Sequence, residues 1–188
     1  MTATVVHEHA PIFRVIRRGW PDPDDARFSQ FSRVNNRWNT PSFPALYCCC
    51  SETVARAIVR DIFRCAGVDL AGLQETAQPQ LVEIHWSGEP IDMVSEAAIA
   101  AAGFSREYPI GSHHSETQRI ATKWHKEGAA GVLCRSASLA RFGYSDWTGD
   151  HPRWGELAIY TDNSTITPSV LKRRDDPTWL IPVHKQSP

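Results

Sequence analysis

The run Val34-Asn35-Asn36-Arg37-Trp38-Asn39-Thr40-Pro41, followed by Phe43-Pro44-Ala45-Leu46-Tyr47, puts a turn-rich loop directly before an apolar segment. Asn-Asn, Thr-Pro and Phe-Pro are turn chemistry, so Arg37 leaves a tight bend just before the chain enters a buried strand over Ala45 to Cys49. The guanidinium is a planar fork for phosphate or carboxylate, and Tyr47 supplies a ring for stacking. An arginine and a tyrosine at the two ends of one loop form a clamp for an anionic, aromatic ligand. Paired with Asp24 or Asp25, Arg37 would instead be an ordinary loop arginine.

Working outward, Ile12 to Ile16 alternates weakly and reads as a strand. Gly19-Trp20-Pro21-Asp22-Pro23-Asp24-Asp25 then interrupts regular structure up to the Arg37 loop. Ser51 is a candidate N-cap for a helix reaching Cys65, with Val54, Ile58, Ile62 and Cys65 at three- and four-residue spacing and Gly67 as its terminator. Gln80 to Trp86 reads as a strand, Asp92 to Ala102 as an alanine-rich helix stopped by Gly103, and Ser115 to Glu127 as a helix stopped by Gly128. Ser115 with Gln118 matches a capping box. Ala130 to Cys134 and Leu157 to Thr161 read as two further strands, and Trp179 to Val183 as a strand closing the sheet. Strands and helices do not alternate regularly, which predicts an α+β fold with a mixed or antiparallel sheet.

The chain has 188 residues, enough for one domain with a core, and no Pro/Gly/Ser linker or repeat divides it. A net charge of −1 gives no global attraction to nucleic acid or anionic membranes, so a phosphate site must be local. The N-terminus lacks a basic region followed by a long apolar core, and no apolar run approaches a membrane span, so the chain reads as cytoplasmic. Cys48-Cys49-Cys50 among five cysteines suits neither a disulfide framework nor a zinc site and reads as reduced, small apolar residues. His7, His9, His113, His114, His125 and His151 show no recognisable ligand spacing, so no metal is expected. Trp38, Trp147 and Trp154 lack an interleaved basic stripe and read as core and pocket residues. Lys172-Arg173-Arg174, followed by Asp175-Asp176, reads as a solvated patch.

Phe13-Arg14-Val15, Asn36-Arg37-Trp38-Asn39-Thr40-Pro41, Pro44-Ala45-Leu46-Tyr47, Gly131-Val132-Leu133-Cys134-Arg135-Ser136 and Glu156-Leu157-Ala158-Ile159-Tyr160 together resemble the RES domain. That family is named for its arginine, glutamate and serine and includes toxins of RES-Xre toxin-antitoxin pairs. Asn35-Asn36 stands where the family has a glycine pair, and asparagine tolerates the left-handed conformation such a bend uses.

The resemblance implies one RES-like domain over 1–188, with a core of about 11–184 and an ADP-ribosyltransferase-like fold. It implies NAD as substrate rather than a prosthetic group, with phosphate as a co-substrate in a phosphorolytic version. Arg14, Arg37, Tyr47, Ser115 and Ser136 are the implied NAD-binding residues, with Ser136 favoured over Ser115 as the family serine. The implied partners are a cognate Xre-like antitoxin or immunity protein, with a homodimer as an alternative assembly.

The family's glutamate belongs in the helix after the tyrosine, and here Ala55-Arg56-Ala57-Ile58-Val59-Arg60-Asp61 contains none. Glu52, at the first helical turn, is the nearest glutamate and joins Arg37, Tyr47 and Ser136 as a candidate catalytic residue; Asp61 is the other nearby acid. Two functions are therefore open. One is an enzyme cleaving the nicotinamide-ribose bond by phosphorolysis or hydrolysis, or transferring ADP-ribose. The other is an NAD- or ADP-ribose-binding module without turnover.

Overall fold

The computed structural model describes residue 4 and residues 11–24, 36–69, 72–141, 152–165, 167–174 and 176–180. The expectations for His7, His9, Asp25, Asn35, Trp147, His151 and the end of the Trp179 to Val183 segment fall outside them.

Seven strands form one sheet in the order β4-β5-β6-β2-β1-β3-β7. They are β1 (Ile12–Arg17), β2 (Leu46–Cys49), β3 (Pro79–His85), β4 (Ile91–Met93), β5 (Gly131–Arg135), β6 (Gly155–Ile159) and β7 (Ser169–Arg174). Only β4 and β5 pair in parallel; every other neighbouring pair is antiparallel. The helices are α1 (Glu52–Ala66), α2 (Glu96–Ala101), α3 (His114–Lys126) and α4 (Ala137–Arg141). This is the expected α+β architecture with a mixed sheet.

Period-two alternation divides the strand residues between two buried faces. On one face, α2 and α3 cover the β4-β5-β6 end through Ile99, Ala121 and Trp124, which pack with Trp38, Cys134 and Tyr160. On the same face α1 and α4 cover the other end, with Val54, Val59 and Leu139 against Phe13, Cys49 and Leu81. The opposite face gathers Ile12, Ile16, Leu46, Cys48, Val82 and Ile84. Cys48 and Cys49 thus serve as small apolar side chains on both sides of β2.

Close approach of β5 and β6 depends on Gly131, where a Cβ would stand 2.4 Å from the Ala158 carbonyl oxygen. No side chain fits there without moving a backbone.

Helix α1 has the ends its sequence specifies. The Ser51 hydroxyl accepts from Val54 N at 3.3 Å, and Gly67 takes the left-handed conformation at φ 64°. Three other elements differ from the sequence reading. Asp92 is in strand β4, and its carboxylate accepts from the amides of Val94 and Ser95, forming a turn that delays the helix until Glu96. Helix α3 begins at His114 with His113 as its cap, so Ser115 is an exposed first-turn residue and the capping box does not form. The sheet edge is β7, containing Lys172, Arg173 and Arg174, whereas Pro177–Leu180 is a short 3-10 turn. An edge strand with one wet face accommodates such charges.

Asp61 joins α1 to α4. Its buried carboxylate accepts from Arg141 at 2.6 Å, Arg64 at 3.0 Å and Ser138 at 3.1 Å. Burial alone would raise its pKa, but hydrogen bonds from Arg64, Arg141 and Ser138 outweigh that and hold the carboxyl below its usual range. Stability from a depressed carboxyl is present above its unfolded pKa and lost as pH falls through the folded value. Asp61→Asn is expected to cost about 1–3 kcal/mol in urea unfolding at neutral pH. That gap should narrow below about pH 4; a gap independent of pH would show that the Asp61 charge contributes nothing.

Candidate active site

The Arg37 loop is fastened to the helix-covered face by its neighbours on both sides. Before it, the Asn36 carbonyl accepts from Gln118 Nε2 of α3 at 2.8 Å. After it, Trp38 is buried, stacks on Trp124 with centroids 5.9 Å apart, and donates through Nε1 to Cys134 Sγ at 3.1 Å.

The Tyr47 hydroxyl completes the fastening. It accepts from Trp38 N at 2.9 Å and donates to Asn39 Oδ1 at 2.9 Å. Its polar end is therefore occupied by the loop, and burial raises its pKa further above the ordinary range. What Tyr47 offers a ligand is the ring, and the residue remains half-buried.

Arg37 is half-buried, and its buried Nε has no hydrogen-bond partner. An unmet donor on a held guanidinium is what an anionic ligand can satisfy. Tyr108 stands beside this guanidinium and the Cys134 thiol, its buried hydroxyl outside good hydrogen-bond geometry with either. Burial pushes the Cys134 thiol up to about 12, and Glu156 adds to the effect, so this cysteine is a neutral packing group rather than a nucleophile.

Ser136 is buried where β5 gives way to α4, and its Oγ accepts from Leu139 N at 3.4 Å. Its hydroxyl also serves Glu156, a half-buried residue on β6. Burial raises the Glu156 carboxyl above the usual glutamate range, while Arg37, the Ser136 hydroxyl and the Ala137 N–H pull it back. Arg37, Tyr47, Ser136 and Glu156 thus share one region of the sheet.

Three candidates lie apart from that group. Arg14 is buried on the opposite face, in register with Val82 and close enough to Cys48 for its charge to oppose the burial that pushes that thiol up to about 12. Strand alternation sends Arg14 away from Arg37. Glu52 is engaged by Arg174, which also reaches Glu83 at 3.0 Å, so its carboxylate is held at the β3-β7 edge. Ser115 is exposed on the first turn of α3. Glu156 was missed in the sequence because an acid in a strand ordinarily faces water. The available signal was its spacing: two and four residues before Ala158 and Tyr160, both on the Arg37 side.

Among the described residues, no three or more His, Cys, Asp or Glu side chains gather as a metal site. No described helix is long and apolar enough to cross a membrane.

Residues 11–163 match the family model of the RES domain. Among solved structures, the chain is similar to one in the crystal structure of the M. tuberculosis MbcT-MbcA toxin-antitoxin complex. The TM-score is 0.68 at 17% identity, covering 91% of this chain and 86% of the other. At that identity the similarity shows a shared fold. The comparison with curated proteins gave no match.

Tyr47→Phe removes the acceptor for a backbone N–H and the donor to Asn39, and is expected to lower stability by about 1–3 kcal/mol. An unchanged urea midpoint would mean that the hydroxyl does not fasten the loop.

Proposed function

The chain belongs to the RES domain family, and on that premise we propose that it is a toxin-like enzyme that consumes NAD by breaking the bond between nicotinamide and ribose. The observation that carries this reading is Arg37, held with an unmet Nε on the same face as the Tyr47 ring and the Ser136 hydroxyl. NAD combines a diphosphate for the guanidinium with flat rings for the phenol. Ser136 offers its one hydroxyl proton on this face, beside the Glu156 carboxyl.

In the reaction, the C1′–N bond breaks with its electron pair passing to the nicotinamide nitrogen, which leaves neutral. Either a water oxygen bonds to C1′ and gives up its proton, or an unprotonated oxygen of inorganic phosphate bonds to C1′. The product is ADP-ribose from water or its 1″-phosphate from phosphate; transfer to a protein nucleophile is the third version. Positive charge grows on the ribose as the bond lengthens, so a nearby carboxylate lowers the barrier.

A second reading, binding without turnover, is favoured by one observation: neither Glu52 nor Asp61 is available to the Arg37 group, since both are engaged in ion pairs elsewhere. For partners, the likeness to a toxin-antitoxin complex supports an antitoxin or immunity protein covering this face, with Xre-like proteins the family's expectation. NAD as substrate suits a cytoplasmic protein.

Purified protein incubated with NAD is expected to release nicotinamide, with phosphate accelerating release if phosphorolysis operates. Arg37→Ala should raise KM roughly 10- to 100-fold through loss of charge-assisted hydrogen bonds to the diphosphate. No nicotinamide from the wild type, with or without phosphate, would remove the hydrolytic and phosphorolytic versions.

A further inference from the structure

We propose that Glu156, on β6, is the carboxylate that faces the ribose of NAD and replaces the family glutamate missing from the middle of α1. This rests on the NAD reading above. The sheet geometry carries the argument. In the β2-β6 register Tyr47 lies opposite Ala158 and Cys49 opposite Glu156. Tyr47 and Glu156 are therefore diagonal neighbours on one face, their backbones about 7–8 Å apart. That spacing suits a ribose whose attached nicotinamide meets the Tyr47 ring.

The Ser136 hydroxyl, the Ala137 N–H and the Arg37 and Arg141 charges all favour the ionised form of the Glu156 carboxyl against its burial. The residue is half-buried, and burial is the largest influence on its carboxyl. Sheet packing does not call for an acid there, since its cross-strand neighbours are Cys49 and Cys134 and the next residue on its face is Ala158; the charges that oppose its burial are those of Arg37 and Arg141. A small apolar side chain would satisfy the same position without the cost of desolvating a charge.

Glu156 explains how the reaction survives without a glutamate in the Ala55 to Asp61 segment and with Asp61 engaged by Arg64, Arg141 and Ser138. As the C1′–N bond breaks, the carboxylate stabilises the positive charge on the ribose. When water attacks C1′, the water proton passes to Glu156 and then to solvent; when phosphate attacks, Glu156 acts through charge alone. Ser136 becomes a positioning residue that fixes the carboxylate, while Arg37 keeps the diphosphate.

The test is nicotinamide release by Glu156→Gln, measured beside the affinity for ADP-ribose. Gln is nearly isosteric and removes only the charge, so the expected result is a fall in kcat of about 100-fold or more, with the dissociation constant for ADP-ribose within about threefold of wild type. If Gln does not fold, Glu156→Asp decides. It keeps the charge beside Arg37 but withdraws it by one carbon, and should lower kcat at least about tenfold at unchanged affinity. Wild-type kcat in Glu156→Gln, or in Glu156→Asp if that variant is the one used, overturns the assignment while leaving the NAD reading intact. Absence of nicotinamide release by the wild type overturns both.

Discussion

The Arg37 side of the sheet depends on how one phenolic hydroxyl is used. Tyr47 stands on β2, where strand pairing fixes its backbone, and spends its proton and a lone pair on Asn39 and on the Trp38 amide. With Gln118 holding the Asn36 carbonyl and Trp38 sunk against Trp124 and Cys134, Arg37 is suspended between anchored neighbours. Anchors on both sides fix the Arg37 backbone during folding rather than during binding. Its unpaired Nε is a cost in the unliganded protein and a gain when an anion arrives.

The second constraint is the period of the strands. Because the sheet is buried on both faces away from the β7 edge, each residue of its inner strands is committed to one chemistry or the other. Tyr47 and Glu156 fall on the Arg37 side, whereas Arg14 falls on the Cys48 side. Sequence proximity to a motif did not indicate which side Arg14 would take; the pairing of β1 with β2 and β3 did. The same logic separates the acids. Glu52 and Asp61 belong to the helix that follows the tyrosine, but their guanidinium partners stand at the sheet edge and on α4.

Much of the fold was legible because its signals are local. Ser51, Gly67 and the apolar spacing between them specify α1, and the strands from Ile12, Leu46, Pro79, Gly131 and Gly155 follow from short apolar runs. What was not legible needed tertiary information. An Asp92 side chain turning the chain back to its own amides overrides the alanine content that otherwise extends the helix. The basic run at Lys172 becomes a strand only because β3 is there to pair with it. Of the residues that share the Arg37 face, Arg37, Tyr47 and Ser136 stand in motifs, while placing Glu156 among them required knowing that both faces of β6 are covered. The RES resemblance supplied an expectation for an acid on the helix; on our proposal that acid stands on a strand, at Glu156.

The central claim is that the Arg37 face binds the ADP-ribose part of NAD. Calorimetric titration of the protein with ADP-ribose tests it without relying on turnover. The account predicts one-to-one binding in the wild type that weakens at least about tenfold in Arg37→Ala. Wild-type affinity retained by a folded Arg37→Ala protein, or no binding by the wild type, would contradict it.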